Sequence, residues 1–544
     1  MTWAQHYDPL GHPWLSTLVA AIPVVVLLGA IALGHVRIHV ASSLGLAVAF
    51  GIAVFAYRMP LDTALATTAY GAASGLFPIG WIILNLIFLY HLTVDKGLFE
   101  VLRGSLGTLA PDPRVQVILV AFCFGAFFEG AAGFGTPVAV TAAILIQLGF
   151  KPLAASGLSL IANTAPVAFG ALGTPIVMLH NVTGMDLMKL SQMVGRQLPF
   201  FSLLVPFWVV WAFVGFRGMM GVWPAALTAG VSFAIPQYLV SNFHGPWLVD
   251  IVSSIVSMGA VSILLKFWQP KPMKVPPVDP PVTAQVSPPR TVLLKAWAPW
   301  MILSLVVFVW GVPEIKKALN SISSFDFKVP RLHEVVLRTP PVGPAGGPAE
   351  KAVFTLNWLS ATGSGILLAS LLAGALMGHS PARMAAIYGE TLWKVRYSLL
   401  TISAMLALGY VTKYSGTDAT LGLALAGTGA LYPFFGTLLG WLGVALTGSD
   451  TASNVLFGGL QKITSEQLGI SPILMGAANS SGGVMGKMVD AQSIVVASTA
   501  TNWYGHEGAI LRYVFFHSIA LAALVGLLVT LQAYVPPFTS MVVK

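Results

Sequence analysis

The sequence predicts an all-α polytopic membrane protein built from two inverted-topology repeats, with about 12 transmembrane helices and two re-entrant helical hairpins. Three observations carry that prediction. Of 544 residues, 56% are hydrophobic and 9% charged, at a mean hydropathy of +0.81. Uncharged apolar runs about as long as a bilayer crossing recur throughout. Two stretches also read as distorted copies: 125-GAFFEGAAGFGTP-137, 148-LGFKPL-153 and 163-NTAPVAFG-170 in one, and 447-TGSDTASN-454, 468-LGISPI-473 and 479-NSSGGVMG-486 in the other. An intramembrane carboxylate beside a polar, Gly-rich break, at corresponding places in two halves, is the best sequence pointer to the binding site of a transporter.

In chain order, residues 1–215 form the first repeat. Its plain apolar runs lie near 15–34, 38–57, 76–93 and 198–215. The start, MTWAQHYDPLGHPW, has neither a basic n-region nor a small-residue cleavage site, so 15–34 is expected to be a retained first span. Residues 113–149 are apolar but broken at 129-EGAAGFGTP-137, with Arg114 and Lys151 at their flanks. Inside-type charges at both flanks predict a hairpin entering and leaving on the cytoplasmic side. A helix over 151–178 follows, interrupted at 163–170. Residues 216–268 supply an extra helix pair, and 269–294 a Pro-rich cytoplasmic linker. Around that linker Lys266, Lys271, Lys274, Arg290 and Lys295 stand against one acid, Asp279, which orients the map.

Residues 295–544 form the second repeat, with plain runs near 295–312, 357–377, 397–413 and 512–535. It carries an extracytoplasmic insertion at 313–356, and its hairpin, 430–468, enters and leaves from the outer side. A helix over 471–503 is then interrupted at 479-NSSGGVMGK-487. Both termini fall outside. The segments 98–110 and 380–395 mix apolar and basic residues at helical spacing and are expected along the interface.

The net charge of +9 does not indicate nucleic acid, because the basic residues stand singly or at helix ends, where they set topology. Cys123 is the one cysteine, so no disulfide forms within the chain. None of the 11 histidines pairs into a ligand spacing, and no motif calls for a metal or cofactor.

Where a helix stops at the midplane, its free N–H groups attract an anion, and glycines let the ligand approach the backbone. Gly133, Thr136, Asn163 and Thr164 occupy that place in the first half. Ser449, Thr451, Ser453, Asn454, Asn479, Ser480 and Ser481, with Gln492 nearby, occupy it in the second. Such neutral donors suit a small carboxylate that also bears a hydroxyl, although small and hydroxylated residues equally hold helices together. Glu129 and Asp450 are candidates for proton coupling: a charged, unpaired carboxylate at bilayer depth costs about 2.5–3.5 kcal/mol, so it becomes protonated or finds a partner. Asp490 is a weaker candidate, since Lys487 three residues earlier offers a local ion pair. Lys413 and Tyr414 end a span near the outer face and read as anchors.

The segments 123-CFGAFFEGAAGFGTPVAVTAA-143, 160-LIANTAPVAFGALGTPI-176, 194-VGRQLPF-200, 440-GWLGVALTGSDTASNVLF-457 and 478-ANSSGGVMGKMVDAQSI-494 resemble the bacterial L-lactate permease family, which includes glycolate permeases. The opening 7-YDPLGHPWLS-16 and the late 531-LQAYV-535 extend the resemblance over nearly the whole chain. It implies import of L-lactate, D-lactate and glycolate with protons across the bacterial inner membrane, by an elevator-like movement of paired hairpins. It also marks Glu129, Asn163, Asp450, Asn454 and Asn479 as functional positions. The linker and the 313–356 insertion match the family loosely and are expected to stand apart from the mechanism.

The expected protein is thus a secondary transporter and not an enzyme, with small 2-hydroxy monocarboxylates, protons and the lipid bilayer as its partners and no nucleic acid. The rivals are a sodium-coupled carrier of the same architecture, a monocarboxylate channel, and an intramembrane aspartyl protease. The last is disfavoured because 448-GSD-450 lacks the second glycine of a Gly-x-Gly-Asp span.

Overall fold

Apolar segments of this length become helices because only a helix satisfies every backbone N–H and C=O within the segment itself. The computed structural model describes residues 2–543 except 33–35, 37, 99, 100, 102–110, 132, 134, 272, 274–288 and 345. Among these, six helices are long and apolar enough to cross a membrane, or eight if each of two bent pairs is one span. The segment 98–110 and the linker 269–294 lie largely outside the described residues. The 380–395 segment is the first arm of a long helix, Pro381–Ser415, bent by 45° between Pro381–Tyr397 and Leu399–Ser415.

Two helical hairpins are formed. The first arm of one begins at Pro113, where Asp112 caps the Arg114 N–H, and runs to Gly125–Ala131. Its return arm, Thr136–Gln147, starts after Gly135, whose φ of +85° needs glycine. The arms touch where Gly125 faces Thr141. The other hairpin joins Tyr432–Thr447 to Asp450–Gln467 through Gly448 at φ +72° and Ser449, whose hydroxyl caps the Ala452 N–H. Its arms are antiparallel: Tyr432 donates to Gln461 Oε1 at 2.7 Å, and Ser453 to the Gly440 carbonyl at 3.1 Å.

A broken helix follows each hairpin. The first bends by 64° between Pro152–Ala162 and Val167–His180, at the expected place. The second breaks later than expected. Its first piece runs unbroken over Pro472–Gly486, and the chain turns at 487–490 before Ala491–Ala500. The glycines blamed for the break serve packing instead. A Cβ on Gly482 would strike the Thr437 carbonyl and one on Gly486 the Trp441 carbonyl, while Gly440 on the facing helix lies against the Asn479 backbone. Small residues of this kind allow two helices to approach closely.

The insertion 313–356 is more ordered than its Pro/Gly content suggests. It holds the helix Pro313–Ser323 and a strand, Ser324–Lys328, paired antiparallel with Val353–Asn357. Val336–Leu337 pairs in parallel with Trp3–Ala4 near the chain start.

The helices pack as two groups. Ile38–Gly51, Leu61–Ser74, Trp81–Asp95, Arg290–Gly311, Thr362–Leu376 and Pro381–Ser415 pack mainly on one another. The hairpins and broken helices pack with Leu198–Met220, Trp223–Phe243, Val249–Phe267 and Glu507–Tyr534. Both halves of the chain contribute to each group.

Candidate functional site

The tips of the two hairpins meet. Glu129, Gly133, Ser449, Asp450 and Thr451 line one cavity of about 30 Å³ together with Val167, Gly170, Ala171, Pro175, Gly448 and Lys487. That volume holds one or two waters. Residues from both hairpins and both broken helices thus surround a single point.

Each acid has its own setting. Glu129 lies in the last turn of its arm and is 4% exposed; Asn163 Nδ2 donates to its Oε2 at 3.1 Å. A Cβ on Gly170 would collide with the Glu129 carboxylate, so glycine there makes room for the acid. Asp450 is the first residue of its helix and 3% exposed; Ser480 donates to its Oδ2, and its Oδ1 has no partner among the described residues. Gly483 makes room for Asp450 as Gly170 does for Glu129. Lys487, 4% exposed, donates to the Gly448 carbonyl at 2.6 Å and stands 3.5 Å from Asp490 Oδ2, an ion pair without hydrogen-bond geometry. Asp490 also caps the next helix, accepting from the Ser493 N–H at 2.7 Å.

The neutral candidates divide. Ser449 and Thr451 also line a larger cavity beyond the second tip, where Gln492 joins them. Thr136 and Ser481 are buried, with hydroxyls that have no partner among the described residues, as is Asn163 Oδ1. Ser453, Asn454 and Asn479 do not line the cavity and belong to one hydrogen-bonded network, which reaches the lining through the Pro175 carbonyl. Asn479 donates to Asn454 Oδ1 at 2.9 Å and accepts from Gln461 Nε2 at 3.0 Å, and Asn454 donates to the Pro175 carbonyl at 3.1 Å. Thr164 spends its hydroxyl on the Ile161 carbonyl at 2.8 Å. A satisfied network of this kind fixes packing and leaves little for a ligand.

Two residues at the site escaped the sequence reading. Lys487 appeared there only as a partner for Asp490, yet it lines the cavity. Asp250 opens the helix Val249–Phe267, in the pair outside both repeats, and is 1% exposed with neither carboxylate oxygen partnered among the described residues. Gly130, next to Glu129, would place a Cβ 2.8 Å from the Asp250 Cβ. The available signal was a lone acid at the head of an apolar run whose next charge is Lys266 at its far end.

The L-lactate permease family matches the chain over residues 16–536. Glycolate permease GlcA of Escherichia coli (strain K12) is 45% identical, with 100% of both chains aligned. An L-lactate permease of the same strain is 44% identical over 98% of each chain. An L-lactate permease of Bacillus subtilis (strain 168) is 42% identical over 98% of this chain and 99% of its own.

Proposed function

The chain belongs to the L-lactate permease family, and we propose that it imports L-lactate and the related 2-hydroxy monocarboxylates D-lactate and glycolate by proton symport across the bacterial inner membrane. It is a multi-pass membrane permease and not an enzyme. The observation that carries the coupling is the shared cavity, in which an acid from each hairpin stands beside one lysine.

Lys487 offers the substrate carboxylate a cation, while Glu129 and Asp450 oppose it when ionised. Two like charges about 4 Å apart at an effective dielectric near 20 repel by about 4 kcal/mol, which weakens binding roughly a thousandfold. Proton and anion therefore bind together. Glu129, with Asn163 as its one side-chain donor and no cation bonded to it among the described residues, is the proton carrier in this reading. Asp450, at a helix start with Ser480, helps to shape the anion end, and Asp490 keeps Lys487 in place. Proton symport also leaves the loaded site nearly neutral, whereas one uncompensated charge crossing 100 mV changes the free energy by about 2.3 kcal/mol.

The two helix groups support an elevator-like movement, the hairpin group sliding against the other with the site inside it. On this reading there are 12 crossings, the hairpins stop within the bilayer, and the repeats have opposite orientation. Both termini and the insertion then lie outside. The test is uptake of labelled L-lactate into proteoliposomes under imposed gradients, with glycolate, D-lactate and pyruvate as competitors. A pH gradient should drive accumulation with sodium replaced by choline. Accumulation that follows sodium and ignores the pH gradient would replace this reading with the sodium-coupled carrier.

A further inference from the structure

The second hairpin tip has two faces. One lines the small shared cavity; on the other, Gly448, Ser449 and Thr451, with Gln492, line a vestibule of about 430 Å³. The inner void as it stands holds one or two waters, whereas the vestibule falls within the range of small-molecule sites. Its walls include Tyr70, Phe77, Met178 and Tyr410, and its roof is Val353, Phe354 and Thr355 from the strand of the insertion. Among the described lining residues a single side chain is charged, Lys413.

The roof is tied to the helices below. Tyr70 donates to the Val353 carbonyl at 2.8 Å, and Tyr414 to the Lys351 carbonyl at 3.2 Å. Gln5 from the chain start bonds the Lys413 carbonyl at 3.0 Å. The Lys413 ammonium stands 3.9 Å from Glu350 Oε2, and the other oxygen of Glu350 is held by Arg338 Nε at 2.8 Å. Asp418, buried in the next helix, acts on the same ammonium through space. Glu350 is thus neutralised chiefly by Arg338, and its contact with Lys413 is long. A small carboxylate can take the place of Glu350 on Lys413 without leaving Glu350 unpaired.

We propose that Lys413 and this vestibule form an entry site for a small monocarboxylate, occupied before the central cavity, with Glu350 as the group the substrate displaces. The insertion, expected to stand apart from the mechanism, then supplies both the roof and the competing carboxylate. This inference rests on the transport reading above, and the experiment separates the two.

Initial rates of L-lactate transport are measured from each face of oriented proteoliposomes. Lys413→Gln should raise KM on the vestibule face about tenfold, the worth of one charged hydrogen bond, with Vmax from that face little changed; from the opposite face Vmax/KM must fall by the same factor, and there the loss should appear in Vmax and not in KM. Lys413→Arg should keep most of the affinity. Glu350→Gln should lower KM on the vestibule face, whereas a purely structural ion pair would raise it; this variant also decides the matter if Lys413→Gln fails to insert. An unchanged KM in Lys413→Gln, an equal rise from both faces, or a raised KM in Glu350→Gln overturns the entry site. Glu129→Gln, run alongside, reports on the central reading alone: normal pH-driven accumulation in it would sink proton coupling while leaving the Lys413 result standing.

Discussion

The two hairpins place their acids at opposite ends of a helix. Glu129 ends its arm, at the negative pole of the helix dipole, with Asn163 as its donor and Asp250, which has no partner among the described residues, beside the neighbouring Gly130. Asp450 begins its helix, at the positive pole, with Ser480 donating and Lys487 across the same cavity. A helix start favours negative charge and a helix end opposes it, by about 0.3–1 kcal/mol at exposed sites and more when buried. On the proposed reading, copies that look alike in sequence differ in chemistry: one half holds the acid that carries the proton, the other an acid at a helix start.

The sharpest way to break this contrast is to neutralise each acid in turn. Glu129→Gln should reduce proton-driven accumulation by about a hundredfold or more while sparing lactate-for-lactate exchange, in the range expected for a lost proton-transfer group. Equal loss of accumulation and exchange would make Glu129 a structural acid. Asp450→Asn removes a charge that opposes the anion, so lactate affinity should rise, by about tenfold or more, and accumulation should stay responsive to the pH gradient. Asp250→Asn sharpens the comparison on the first side: if Asp250 shares the proton of Glu129, the measured proton-to-lactate ratio falls, and an unchanged ratio confines the coupling to Glu129.

Smaller effects are expected where polar side chains already satisfy one another. Asn479→Ala should lower unfolding stability by about 1–3 kcal/mol, because Asn454 and Gln461 lose a buried partner. Calorimetric lactate affinity should stay near wild type, and a large loss of affinity in a well-folded variant would move the site toward that network. Deleting residues 272–286 should leave uptake unchanged in a protein that inserts normally.

Much of this was legible in the sequence, and the exceptions have physical causes. The hairpin arms and the first broken helix fall where apolar runs meet Gly-rich polar breaks, and the long motifs identify the family. The i, i+3 spacing of Lys487 and Asp490 announced their ion pair. The second break was misplaced because a run of small residues reads the same whether a helix is interrupted or merely crowded; Gly482, Gly483 and Gly486 turn out to be crowded. Asn479 and Asn454 matched by position, yet only three-dimensional contacts reveal that each satisfies the other. Asp250 was missed because it belongs to neither repeat, so internal symmetry could not point to it. The vestibule joins the tip of one hairpin to a strand about 95 residues earlier, a proximity that spacing does not encode.

The most direct test is calorimetric lactate affinity as a function of pH for the purified wild type, Glu129→Gln and Asp450→Asn. On the proposed reading anion binding requires Glu129 to be neutral, so wild-type affinity should fall as pH rises, Glu129→Gln should bind with almost no pH dependence, and Asp450→Asn should keep the wild-type slope. A Glu129→Gln protein whose affinity still falls with pH as steeply as the wild type would contradict the account.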